Sequence, residues 1–197
     1  MTFSIRRLAL AVSTISTAAA SLVLAAPAAQ ADLVNLGTCN ANALSQPFLP
    51  WADASTYELA PGGTFGDSSW TLSGRASLVS GGEPWAVTGT PSSSSVSLPG
   101  GSSATSPSTC VTAAYPTVRF FVGGSGIVAV SMVYNGVQIP AGVATAGGGW
   151  APSPVAVTAS AITGALNGGT AQVSLKLTGV LGSPKVSDVF IDPRGRY

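Results

Sequence analysis

The sequence predicts an all-β chain: an antiparallel β-sandwich of jelly-roll-like topology, folded as one domain. Three observations predict it. Strand-length segments repeat with a period of two rather than 3.6. Clusters of Gly, Pro, Ser and Asn interrupt them at short intervals. The 197 residues are 46% apolar and only 8% charged, with 24 Gly and 14 Pro, so the chain can bury a core and turn often.

The candidate strands follow in order. Residues 56–59 come first. In residues 70–78 the apolar members fall on even positions and the polar ones on odd positions, as in one strand with a single buried face. Residues 85–88 are a further candidate, and residues 95–98 repeat the alternation briefly. Residues 117–122 and 127–134 are more continuously apolar, which predicts central strands covered on both sides. Asn135-Gly136 then signals a type I′ hairpin turn into residues 137–143. Residues 155–162, 171–178 and 186–192 complete the set; the second of these alternates as cleanly as any. The punctuation lies at Pro61-Gly62-Gly63, Gly81-Gly82, Pro99-Gly100-Gly101, Gly123-Gly124, Gly147-Gly148-Gly149 and Asn167-Gly168-Gly169. About eight to ten short strands result, a number suited to a jelly roll. An immunoglobulin-like sandwich is the main rival, but its inter-sheet disulfide joins mid-strand cysteines, whereas Cys39 lies near the start of the folded part.

Arg6 and Arg7, the apolar run of residues 8–26 and the small-residue site Ala29-Gln30-Ala31 read as a secretory signal peptide, residues 1–31, cut before Asp32. The folded domain is then 32–197, secreted and extracellular, with no membrane span after cleavage. Of the eight basic residues, loss of Arg6 and Arg7 leaves six against seven acidic ones. A near-neutral chain of this kind cannot neutralise a run of phosphates, which excludes nucleic acid as a partner, and it has little attraction for anionic membranes. Ser and Thr hydroxyls, abundant from residue 32 onward, supply the surface polarity instead.

The chain contains no histidine, so Ser-His-Asp and Cys-His catalysis and histidine-ligated metals are excluded. The two cysteines, Cys39 and Cys110, allow one intramolecular disulfide in an oxidising compartment. Closing a loop of about 70 residues would contribute roughly 4 kcal/mol by chain entropy. Asp32, Asp53, Glu58, Asp67, Glu83, Asp188 and Asp192 remain as carboxylates. No spacing singles out a pair facing each other across a sugar, so they read as loop and strand-end caps. Asp188 and Asp192 alternate onto one face with Phe190; without a D-x-D-x-D-G loop they are read as turn caps, and no metal or cofactor is expected. Arg119 interrupts an apolar stretch and Glu83 sits in a Gly-Gly-Glu-Pro turn; a buried arginine is expected to pair with a carboxylate.

Aromatic rings are the remaining candidates. Sugars present C–H faces that stack on rings while their hydroxyls bond polar neighbours. Trp150 is the first ligand-binding candidate: it follows three glycines and precedes Ala151-Pro152-Ser153-Pro154, which places it in a loop. Trp85 and Trp51, both beside prolines, come second, each with a structural role as the simpler reading. Trp70 heads the apolar face of an alternating strand and is assigned to the core.

Several stretches carry a resemblance: residues 46–53, 57–65, 82–84 and 98–107, the run into Cys110-Val111, residues 116–121 and the closing Ser187-Asp188-Val189-Phe190-Ile191-Asp192-Pro193. Together they resemble a family of small secreted actinobacterial proteins of unknown function. The closing motif is similar to the hydrophobic-Asp-Asp-Val strand of jelly-roll carbohydrate-binding modules, with Ser187 in place of the first Asp. The resemblance implies export, the Cys39–Cys110 bridge and the fold. The function expected is that of a secreted, non-enzymatic, monomeric binding module for a carbohydrate or another cell-envelope or extracellular surface component. The alternative is an exported structural or protein-interaction domain without a small-molecule site.

Overall fold

The computed structural model describes residues 43–112, 117–157 and 170–192. The chain divides into Met1–Asp32 and Leu33–Tyr197, and every described element belongs to the second unit. The expected leader and Cys39 lie outside the described residues. No free cysteine occurs among those described; Cys110 is half-buried on a strand.

The described chain is all-β. Its strands are β1 (Leu44–Ser45), β2 (Tyr57–Leu59), β3 (Thr71–Ser73), β4 (Ser77–Ser80), β5 (Ser94–Ser97), β6 (Ser103–Thr105), β7 (Thr109–Thr112), β8 (Thr117–Tyr134), β9 (Val137–Pro152), β10 (Ala156–Val157) and β11 (Thr170–Asp192), with one 3-10 turn, Leu49–Trp51. All pairings are antiparallel. Strand β11 is the axis of the arrangement. Along one edge it pairs with β8, from Ser174 opposite Val133 to Asp192 opposite Thr117. Along the other it meets β7, β6, β5 and β2 in succession. Strands β9 and β10 flank β8 on its far side.

The expected hairpin forms: Asn135 and Gly136 both have positive φ, 48° and 78°, and join β8 to β9 with Tyr134 opposite Val137. The expectation of many short strands is corrected. Residues 117–122 and 127–134 are one 18-residue strand, and 171–178 and 186–192 belong to one of 23 residues. The reason lies in the glycines between them. At Gly126 (φ +138°) a Cβ would collide with the Leu181 carbonyl oxygen, so the bare backbone lets β8 and β11 bend together instead of stopping. Conversely, residues 70–78 are two strands, because Gly74 (φ +70°) turns the chain; β3 goes to β6 and β4 to β5. Residues 85–88, expected as a strand, form a turn, for a reason given below.

Alternation distributes the apolar side chains to two sides of β8 and β11. Ala171, Val173, Leu175 and Leu177 of β11 and Val118, Phe120, Val122, Val128, Val130 and Met132 of β8 are buried in the main core, with Trp70 at its margin as expected. Phe121 and Phe190 point the other way, into a smaller cluster with Phe48 and Tyr57. Residues 117–122 are therefore covered on both sides, as predicted. Residues 127–134 instead carry partly exposed positions between buried ones, since the second cluster does not extend over them.

Candidate functional site

The second cluster gathers three tryptophans from three distant segments. Trp51 and Trp150 pack on the group formed by Phe48, Tyr57, Phe121 and Phe190, and the Trp85 ring lies against Phe121 at its edge. The Trp51 and Trp85 rings meet edge to face at 5.0 Å, and each lies 5.4 Å from the Phe121 ring. Trp85 is the most open at 43% exposure, while Trp51 and Trp150 are half-buried. All three expected ligand-binding residues thus meet at one surface, each positioned by a different device.

Trp51 ends the 3-10 turn. Phe48, immediately before that turn, is fully buried, stacked on Phe121 at 5.2 Å and edge-on to Tyr57 and Phe190. Asp53 holds the other end. Its Oδ2 accepts hydrogen bonds from Tyr57 Oη and Arg119 Nη1, both at 2.7 Å, and its Oδ1 accepts the Ser55 N–H at 3.1 Å. Burial alone would raise the Asp53 pKa, but the hydrogen bonds from Ser55, Tyr57 and Arg119 outweigh it and hold this carboxyl well below the usual range. Burial first, and then the Asp53 carboxylate, push the Tyr57 hydroxyl up. Arg119 donates through Nε and Nη2 to the Ser153 carbonyl and lies over the Phe48 ring at 4.2 Å. Its carboxylate partner is therefore Asp53, and its role is structural.

Trp85 is set by Glu83. The fully buried Glu83 carboxylate accepts the N–H groups of Trp85 and Val87, the second at 3.2 Å. Wrapping residues 85–87 around a side-chain acceptor takes their donors away from any ladder, which is why the expected strand is a turn. Beneath it, Asp188 is also fully buried, in an irregular stretch of β11 between Ser187 and Phe190, with φ +47°. Burial and then the Glu83 charge raise its pKa to about 6. Asp192 is buried at the strand end.

Trp150 is corrected from a loop to a strand. It lies in β9 where the register with β8 shifts between Val122 and Gly124, and its ring covers Gly123, with ring atoms 2.7–2.9 Å from where a Cβ would stand. The three glycines before it are part of the same strand. Ala52 and Ala86, the residues directly after Trp51 and Trp85, both hold left-handed backbone (φ 60° and 57°). Alanine adopts that conformation only at a cost of roughly 1–2 kcal/mol.

A polar cleft of about 220 Å³ lined by Thr64, Gly66, Thr88, Thr90, Pro91, Ser92 and Ser93 opens on the chain that follows Trp85. Among the described residues there is no group of three or more His, Cys, Asp or Glu able to hold a metal, and no helix long and apolar enough to cross a membrane. The sequence offered Glu83 and Asp188 separately; their meeting depends on the chain returning 105 positions later and carries no local signal.

No protein-family model and no curated protein matches the chain. Among solved structures, it is similar to the C-terminal family 6 carbohydrate-binding module of a laminarinase, LamC, from Zobellia galactanivorans. That match has 12% identity and a TM-score of 0.45, over 64% of this chain and 93% of that one. It is also similar to the family 11 carbohydrate-binding module of the Clostridium thermocellum cellulase Lic26A-Cel5E, at 8% identity and a TM-score of 0.45, over 74% and 99%. A third similarity is to the CBM22-1–GH10 modules of the C. thermocellum xylanase 10B, at 15% and 0.45, over 66% of this chain and 27% of that one. These three structures are carbohydrate-binding modules or chains that contain one.

Proposed function

We propose that the protein is a non-enzymatic module that binds a carbohydrate through the tryptophan surface, with Trp85 as the stacking ring and Trp51 and Trp150 as its flanks. One observation carries the reading: three tryptophans from separate parts of the chain converge on the cluster around Phe121, and the most open of them sits on a turn fixed by a buried carboxylate instead of being tucked into the core. A hydrophobic core gains nothing from leaving a ring 43% exposed, whereas a sugar face gains a platform. The left-handed alanines after two of the rings support it, since backbone strain of this kind concentrates where ring position matters.

The same reading has residues 1–31 removed as a leader, the domain 32–197 exported as a jelly-roll-like sandwich, and Cys39 bridged to Cys110. Intact mass of the secreted protein before and after reduction tests both: the cut before Asp32 fixes the mass, and the bridge adds about two daltons on reduction.

Binding is tested by retention on a panel of insoluble polysaccharides and on an envelope fraction. Wild type is expected to be retained on at least one, and Trp85→Ala to lose at least about tenfold in affinity, the loss of roughly 1.4 kcal/mol or more that one stacked ring supplies. Failure of wild type to bind any of them overturns the reading, as does equal retention of Trp85→Ala. Release of reducing ends from the retained polysaccharide would overturn the non-enzymatic part.

A further inference from the structure

We propose that Asp188 and Glu83 share one proton and together form an acid-closed latch that positions the Trp85 turn. Both side chains are fully buried, and Glu83 spends its two oxygens on the Trp85 and Val87 N–H groups. Both Glu83 oxygens are thus already engaged as acceptors of backbone donors. Gly82, next to Glu83, lies against Ser187, whose Oγ stands 2.5 Å from where a Gly82 Cβ would be, so the two buried carboxylates adjoin and the Glu83 charge acts on Asp188. Its Oδ2 is met by Ser187 Oγ at 3.0 Å, while Oδ1 has no hydrogen-bond partner. Two adjoining carboxylates buried without a countercharge are costly, and a proton on Asp188 removes one charge and supplies a donor at the same time.

Among the described residues, the surrounding elements offer no cation to do this instead. Ser187, on the same strand, and Ser92, from the chain after the turn, present hydroxyls to Asp188. On β8, Arg119 lies opposite Phe190 but is committed to Asp53 and Ser153. Lys185 of β11 lies opposite Gly123 and Ser97. From the 60–66 segment the contact is backbone, Val189 N–H to the Gly63 carbonyl at 3.1 Å and Ala60 N–H to the Val189 carbonyl at 2.8 Å. Glu58 of β2 lies opposite Ile191 and Asp192 opposite Thr117, both further along β11.

The sign follows from linkage. The Asp188 pKa is raised from 3.8 to about 6, so the folded state holds a proton that the unfolded state has lost between those values. The contribution of the latch is full below about pH 4, falls through about pH 6 and is absent above. Raising the pH therefore loosens the Trp85 turn. The latch itself needs no ligand; only its consequence, tighter glycan retention in mild acid, rests on the proposed function.

The test uses the full secreted protein without any ligand. Wild type is expected to show a tryptophan-emission change with a midpoint near pH 6, absent in Trp85→Phe and in Asp188→Asn, whose amide carries a permanent donor. Asp188→Asn is expected to melt higher than wild type at pH 7.5 and to lose that advantage at pH 4. Should Asp188→Asn fail to fold, Glu83→Gln serves: with the neighbouring charge gone, the midpoint is expected to move to lower pH. An emission change that persists unaltered in Asp188→Asn, or in Glu83→Gln, overturns the latch. So does a rise in wild-type Tm at pH 7.5 on adding calcium that Asp188→Asn lacks, since a cation and not a proton would then bridge the pair. Loss of glycan retention at every pH, with the emission change intact, overturns the proposed function and leaves the latch standing.

Discussion

Asp53 concentrates more structural consequence than any other side chain at the site. It satisfies the Tyr57 hydroxyl, neutralises Arg119 and closes the turn after Trp51. Removing it leaves a guanidinium buried with only a carbonyl for company. Asp53→Ala is expected to cost roughly 3 kcal/mol in urea unfolding, and adding Arg119→Met to return part of that, because the stranded charge goes with it. A loss below about 1 kcal/mol for the single variant would show the pair to be peripheral. The carboxyl is held below its ordinary value, so its contribution is full above about pH 4 and fades as the pH drops further, on the acid side of the Asp188 window. Ala86 argues in the opposite direction. Its left-handed backbone makes Ala86→Gly stabilising by about 0.5–1 kcal/mol, against the usual sign for alanine to glycine. Urea midpoints decide this; a destabilised variant would show that the turn is not strained.

Glycine behaves differently from one element to another, and its position explains why. Gly136 sits at the tip of the β8–β9 hairpin with open space around its missing Cβ, so Gly136→Ala is expected to cost only the left-handed strain, about 1 kcal/mol. Gly126 has both a positive φ and the Leu181 carbonyl where a Cβ would go, so Gly126→Ala is expected to disrupt the β8–β11 bend and cost well over twice as much. Thermal melts of the two variants separate these outcomes, and equal losses would overturn the steric account. The same contrast sets what the sequence could reveal. Alternation in residues 171–178 and the Asn135-Gly136 turn act between near neighbours, and both are found where expected. Gly123-Gly124 reads locally like a chain reversal, yet it is a bend in a continuous strand, because the facing strand decides whether hydrogen bonding resumes. Residues 85–88 have strand-like composition, but the carboxylate that diverts their N–H groups is two residues upstream of the first of them. Trp150 looked like loop for the same reason as Gly123: triple glycine inside a strand edge is rare enough to mislead.

At the scale of the molecule, the site is a product of topology. Strand β11 carries Phe190 to one side and Val189 and Ile191 to the other, and only the change of partner from β5 to β2 beside Asp188 brings residues 48–57, 83–87 and 150 over the same patch. Local pattern could nominate each tryptophan but had no means of joining them. The charge distribution then determines how the surface can act. With six basic and seven acidic residues from position 32 onward, and Arg119, Asp53, Glu83 and Asp188 tied up internally, the tryptophan surface has almost no field of its own. Attraction must come from ring contact and hydroxyl hydrogen bonds, both of which are insensitive to screening. Retention on a polysaccharide is therefore expected to change by less than about twofold between roughly 0.05 and 1 M sodium chloride, a range that shrinks the Debye length several-fold. A polyanion-binding surface would lose orders of magnitude over the same range. Elution by salt in that experiment would mean that charges outside the tryptophan surface hold the ligand, and the platform would have to be sought elsewhere on the protein.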